Sequence, residues 1–156
     1  SETEIQARID EVLRSVELEG HAMKLPSEIS GGMRKRAGLA RALVCQPEIM
    51  LHDEPTSGLD PISSSVINGL IMKLKGMGIT QMVVTHDMGS AFEVADRIAL
   101  LHEGKVHALG TADEFRESAD PAVHQFIHGH VEGPLAREIR ENSEPDSLIN
   151  EESEES

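Results

Sequence analysis

Ile5, Ile9, Val12, Leu13 and Val16 recur at helical spacing while Glu2, Glu4, Arg8, Asp10, Glu11 and Arg14 fill the remaining positions. This pattern predicts an amphipathic helix from the start of the chain to about Glu19-Gly20. No strand or glycine-rich turn precedes it, so Ser1 is expected to be an interior point of a larger domain. After Pro26, Ser30 is placed to cap a second helix through Met33, Ala37, Ala40, Leu43 and Val44 that stops before Gln46-Pro47. The apolar run Ile49 to His52, bounded by Pro47 and Pro55, suits a buried strand.

Asp60-Pro61 reads as a cap followed by a proline at the first helical position, opening a helix that carries Ile62, Val66, Leu70 and Leu74 and closes at Gly76 and Gly78. Met82 to Thr85 is the next strand, and Asp87 caps a helix through Phe92 and Val94. Arg97–His102 and Lys105–Leu109 flank Glu103-Gly104 as a hairpin. Thr111 with Glu114 has the spacing of a capping box. Strand, helix, strand, helix in this order implies parallel strands joined by a right-handed crossover, an α/β class. From about Glu138 the apolar periodicity stops and Glu, Ser, Asn and Pro dominate, so residues 136–156 are expected to form a flexible acidic tail.

The formal net charge of −14 over 156 residues disfavours binding to nucleic acid or to an anionic membrane surface. Seven acidic and no basic residues lie between Glu141 and Ser156, so half of that charge belongs to the tail. Cys45 is the sole cysteine, which excludes an intrachain disulfide. It is expected to be a small buried residue at a helix end. There is no secretory-signal pattern, and no apolar run nears the roughly 20 residues of a membrane-spanning helix. The absence of Trp and Tyr disfavours base-stacking recognition of single strands.

Three segments carry candidate chemistry. Asp53 and Glu54 end an apolar strand, where one carboxylate can hold a metal and its neighbour can position or deprotonate an attacking water. A plain solvated strand end would look the same. His86 ends the next strand, and in an open parallel sheet ligands bind beyond the carboxyl ends of the strands. There it could hydrogen-bond a phosphate, or serve only in the turn that caps the next helix. Ser30-Gly31-Gly32 is either an ordinary helix cap or a helix start whose bare backbone N–H groups can approach phosphate oxygens. Arg34, Lys35 and Arg36 add positive charge there or form a solvated face. His124 and His128 are one helical turn apart, with His130 close by. A metal site is disfavoured because no cysteine or acidic ligand has matching spacing.

Taken together, Leu25 through Arg36 with Ala40-Arg41-Ala42, Ile49 through Pro61, and Val83-Val84-Thr85-His86-Asp87 resemble the signature, Walker B, D-loop and switch-histidine series of ABC ATPases. The likeness runs to about Leu135. It is narrowest to the MlaF type, the toluene-tolerance or Mce-system ATPases of phospholipid transport. Met33 in place of glutamine, Val94-Ala95-Asp96-Arg97-Ile98 and Asp120 through Ile127 leading to Gly133-Pro134 carry that likeness.

The resemblance implies a partial P-loop NTPase core with mainly parallel strands. Residues 1–45 would belong to the helical subdomain and 46–135 to the catalytic core. Glu54 and His86 would be catalytic, and Asp53 would hold Mg²⁺ through water. Ser30, Gly31, Gly32 and Met33 would contact ATP held by a second ATPase subunit in a head-to-tail dimer, with Asp60 coupling the two sites. An integral membrane permease and an Mce-type lipid-binding component would be the further partners, nucleic acid would not be one, and the subunit would sit on the cytoplasmic face of the inner membrane.

The chain departs from the pattern in lacking G-x-x-x-x-G-K-[ST] and the Q-loop, so alone it is expected to be inactive. His52 is also more polar than the residue expected before Asp53. The reading is a C-terminal fragment of a transport ATPase. The alternative is a naturally truncated, non-catalytic subunit or regulator that lends its signature helix to a complete partner. A DNA-repair or translation ATPase is disfavoured by the acidic surface and the lack of a coiled-coil insertion or second cassette.

Overall fold

A computed structural model describes residues 1–135. The acidic tail expected over 136–156 lies outside the described residues. The elements, in order, are α1 (Glu2–Ser15), a single 3-10 turn at Pro26–Glu28, α2 (Gly31–Leu43), β1 (Ile49–Asp53), α3 (Pro61–Gly76), β2 (Thr80–Val84), α4 (Met88–Val94), β3 (Ile98–His102), β4 (Lys105–Gly110), α5 (Ala112–Arg116) and α6 (Pro121–His128). They form two compact units, one from Ser1 to Asp96 and one from Arg97 onward.

In the first unit β1 and β2 pair in parallel, Ile49 opposite Thr80 and Asp53 opposite Val84, with α3 as the crossover. The core joins α1, α2, β1 and α3 through Val12, Val16, Leu18, Leu39, Leu43, Met50, Leu70 and Leu74. A second cluster of Ile67, Ile71 and Val94 seats α4 on α3. Buried Asn68 reinforces that seat, donating to Ser90 Oγ at 3.0 Å and to Glu93 Oε2 at 2.7 Å. Arg8 donates from α1 to the Leu43 carbonyl at 2.6 Å, adding to the bond that this helix-end carbonyl accepts from Gln46 N at 3.0 Å.

Several expectations from the sequence are corrected. The first helix stops at Ser15, short of Gly20, because the chain turns there through Glu17 at φ 57°. That turn sends Leu18 back into the core. On α3 the buried stripe is Ile67, Leu70, Ile71 and Leu74, while Ile62 and Val66 face solvent. The apolar positions outnumber one face of the helix, so spacing alone chose part of the stripe wrongly. Cys45 is exposed, since α2 has ended at Leu43 and the chain there runs along the surface.

Strand β1 is covered on one side only. Met50 and His52 are buried, but Ile49 (64 %), Leu51 (76 %), Met82 (62 %) and Val84 (52 %) leave an apolar face open among the described residues. The helices pack against the opposite face, which the period-2 alternation of side chains separates from this one.

The second unit is built on the antiparallel pair β3–β4, closed by Glu103-Gly104 with φ values of 47° and 70°. Two successive positive φ angles suit a tight two-residue hairpin turn. A register shift after Leu100 leaves His107 without a cross-strand partner, and its Nε2 meets Asp120 Oδ2 at 3.1 Å. Asp120 caps α6, accepting from Ala122 N at 2.8 Å and Val123 N at 3.2 Å. Leu100, Phe115, Ala122 and Val123 are the buried apolar residues of this unit among those described.

Candidate functional site

Glu54 and His86 come from different strand ends and meet because β1 and β2 are adjacent and in parallel register. The Glu54 backbone N–H extends the ladder by one bond, donating to Val84 O at 2.8 Å. Beyond it the backbone turns sharply, with Glu54 at φ 47°, a left-handed conformation uncommon for a residue with a side chain. The turn brings the carboxylate to His86, where Oε1 lies 2.8 Å from Nδ1 and accepts from the backbone N–H at 3.1 Å. Because a carboxylate accepts, His86 Nδ1 carries the proton in this contact.

The imidazole hydrogen bond is the largest influence holding the Glu54 carboxyl below its ordinary value. The attraction of the ring charge, the His86 backbone N–H and the Thr85 hydroxyl add to it, and partial burial opposes it. The His86 side chain remains 77 % exposed and that of Glu54 32 %, so the pair is open to a ligand.

Asp53 is exposed at the end of β1. Asp60 accepts from Ile62 N and Ser63 N at 3.0 Å each, and from Ser63 Oγ at 2.6 Å. It opens α3 six residues after Glu54.

The start of α2 adjoins this segment. Ser30 Oγ accepts from Met33 N at 3.2 Å, leaving the N–H groups of Gly31 and Gly32 at the helix start without intrahelical acceptors. A Cβ on Gly31 would meet Leu59 at 3.6 Å and one on Gly32 would meet Ser63 at 3.5 Å, both ordinary contacts. Packing within the chain therefore does not demand glycine at either position. The Met33 side chain packs against the core that joins α1, α2 and α3.

Sequence reasoning missed what the three basic residues after Met33 do. Arg34 donates to Ile29 O at 2.8 Å, Lys35 to Glu54 O at 2.9 Å, and Arg36 to Val16 O and Glu17 O at 3.2 and 2.8 Å. Each braces a backbone carbonyl at a turn, so none is merely a solvated charge. Lys35 fastens the left-handed turn at Glu54 to α2. The only hint of this in the sequence is the run of three long cationic side chains on one helical turn.

A parallel strand pair with a carboxylate and a histidine at its strand ends, beside a glycine-opened helix, has the layout of open α/β sheets whose ligands bind beyond the carboxyl ends of the strands. The family model described as ABC transporter matches residues 1–57. The chain is 41 % identical over 124 residues to the intermembrane phospholipid transport system ATP-binding protein MlaF of Escherichia coli, covering 79 % of this chain and 46 % of that protein. It is 40 % identical to Trigalactosyldiacylglycerol 3, chloroplastic, of Arabidopsis thaliana, covering 86 % and 44 %. It is 43 % identical to the probable ribonucleotide transport ATP-binding protein mkl of Mycobacterium tuberculosis, covering 86 % and 38 %.

Among solved structures it is similar to an ABC-transporter ATP-binding cassette in its ADP conformation, with TM-score 0.74, 26 % identity, and coverage of 81 % of this chain and 50 % of that one. It is also similar to a dimeric post-hydrolysis cassette bound to ADP and Pi, with TM-score 0.63, 38 % identity, and coverage of 72 % and 49 %. The chain is thus similar over most of its length to part of the ATP-binding cassette of ABC transporters. It spans less than half the length of the curated relatives it matches.

Proposed function

We propose that the protein containing this chain hydrolyses ATP, with Glu54 as general base and His86 as the group that engages the γ-phosphate. The observation that carries this reading is the Glu54–His86 contact at the two strand ends. The contact keeps the carboxylate ionised and therefore able to accept a proton, but it also lowers its basicity. If the imidazole turns to a phosphate, Glu54 is released with its proton affinity restored next to the water it must deprotonate. The base is thus coupled to the arrival of substrate.

The donor set fits Mg²⁺. That ion typically takes one or two carboxylates together with phosphate oxygens and waters. With Glu54 engaged by His86, the exposed Asp53 is the available hard ligand. Bound there, the ion would gather phosphate charge. Ser30 and the N–H groups of Gly31 and Gly32 would donate to nucleotide phosphates of a second ATPase subunit in a head-to-tail dimer, with Met33 supporting the helix start from the core side. Asp60, at the start of α3, would couple the two sites. Residues 1–45 and 46–135 would serve as parts of the helical subdomain and catalytic core.

The process driven is phospholipid transport in an Mla/Mce-like system, through an integral membrane permease at the cytoplasmic face of the inner membrane and with an Mce-type lipid-binding component. The likeness to MlaF supports the cargo. The name of the mycobacterial relative points to a different one, so the cargo reading rests on the MlaF-like residues. Among the described residues no helix is long and apolar enough to cross a membrane.

The test is Glu54→Gln in the full-length protein with its permease. Hydrolysis should fall by about 10²-fold or more while ATP binding persists, because the amide keeps the shape but cannot take the proton. Turnover within about threefold of the parent would remove Glu54 from the role of base.

A further inference from the structure

The end of α6 takes no part in the proposed ATP chemistry. His124 and His128 stand one turn apart on that helix, with ring centroids 4.2 Å apart. Gly129 then adopts a left-handed conformation, φ 64° and ψ 32°, that ends the helix and folds the chain back. His130 thereby returns to the same face, its ring 5.5 Å from His124 and 5.7 Å from His128. Buried Gln125 pins the returning backbone twice: its carbonyl accepts from His130 N at 3.1 Å, and its side-chain amide donates to His130 O at 3.0 Å. One ligand nitrogen from each of the three imidazoles can be chosen so that all lie within 4.8 Å of one another.

We propose that His124, His128 and His130 bind one late first-row transition-metal dication, with Zn²⁺ as the physiological choice. Imidazole nitrogen suits this class of ion, and a tetrahedral centre with Zn–N bonds of about 2.0–2.1 Å needs its ligand atoms roughly 3.4 Å apart. The nitrogens therefore have to close by about 1.4 Å at most, which rotation of exposed rings supplies.

The hydrogen bonding at His128 points the same way. Its Nδ1 lies 2.9 Å from the His124 carbonyl, an atom that only accepts, so Nδ1 holds the proton and Nε2 presents a lone pair. A ligating histidine commonly has this outer partner, a backbone carbonyl that fixes the tautomer and orients the ring. With three protein ligands the fourth position falls to water. The bound ion would staple the last turn of α6 to the segment beyond Gly129.

Calorimetric titration of Zn²⁺ into the full-length protein, free of any histidine tag, tests the site. Wild type should bind one more Zn²⁺ per chain than either His128→Ala or His130→Ala, at micromolar or tighter affinity. Both positions are exposed, and alanine is the most favourable helix residue at 128, so circular dichroism should be unchanged in the variants. Gly129→Ala, which strains the left-handed turn while keeping every ligand, should weaken binding at least about tenfold. Equal stoichiometry in wild type and His130→Ala would overturn the proposal. One ion per two chains with metal-dependent dimerisation would also overturn it, since the ligands would then come from separate molecules.

Discussion

Lys35 joins helix α2 to the turn that follows β1. Its ammonium holds the Glu54 carbonyl at 2.9 Å, at a turn whose φ of 47° is unfavourable for glutamate. Lys35→Met keeps the apolar stem and removes the bond, which for a charged donor is worth about 1.5–3 kcal/mol. We expect a stability loss of that size in denaturant titration, together with a fall in kcat that Lys35→Arg partly restores. A second residue-scale consequence lies at His52, 9 % exposed, whose Nε2 meets Gln81 Oε1 at 2.9 Å while Gln81 donates onward to Ile71 O at 2.8 Å. Burial pushes the imidazole below its ordinary value of 6.5, and the Gln81 bond opposes this in part. The unfolded chain takes up a proton near pH 6.5 where the folded chain does not, so stability is full above that pH and falls as pH drops toward the depressed folded value. His52→Leu should flatten the decline in urea midpoint between pH 6.5 and about 5. A variant that declined as steeply as wild type would assign the effect to other groups.

At the scale of elements, three helices begin on aspartates whose carboxyls are held below the ordinary 3.8. The Ser63 hydroxyl is the main cause at Asp60, the Ser90 hydroxyl at Asp87 and the Val123 backbone N–H at Asp120. A depressed carboxyl contributes stability that is present above its unfolded value and is lost as pH falls through the folded one. Helicity of α3, α4 and α6 should therefore decay in acid below pH 3.8, as read by far-ultraviolet circular dichroism. Asparagine caps about as well without the charge, so Asp60→Asn, Asp87→Asn and Asp120→Asn together should remove much of that acid sensitivity. Four helix starts were legible in the sequence because a cap acts through its own next three residues: Ser30, Asp60, Asp87 and Thr111 all cap as their spacing predicts, whereas the Asp120 cap of α6 was not read there. The meeting of Glu54 with His86 was legible too, since it follows from strand order alone. Lys35 on Glu54, Gln81 on His52 and the choice of stripe on α3 were not, because each depends on where a distant element comes to rest.

At the scale of the whole molecule, Ile49, Leu51, Met82 and Val84 form an open apolar face on a two-stranded parallel sheet. Patches of this kind drive association unless another layer covers them. In our reading the rest of the cassette does so. Leu51→Lys with Met82→Lys should reduce concentration-dependent association of the 156-residue chain, measured by sedimentation, with little change in its circular dichroism because both side chains are more than half exposed. In a complete cassette the same pair should be strongly destabilising, since two charges would then be buried. The exposed thiol of Cys45 has a practical consequence of a different kind. It is the only cysteine of the chain and follows the far end of α2 from Ser30, about 20 Å along a helix of 13 residues. A spin label or fluorophore placed on it would sit away from the glycine-opened start of α2 and disturb no buried contact. In the symmetric pair of subunits proposed above it would give one inter-label distance, a direct ruler for whether nucleotide draws the two α2 helices toward each other.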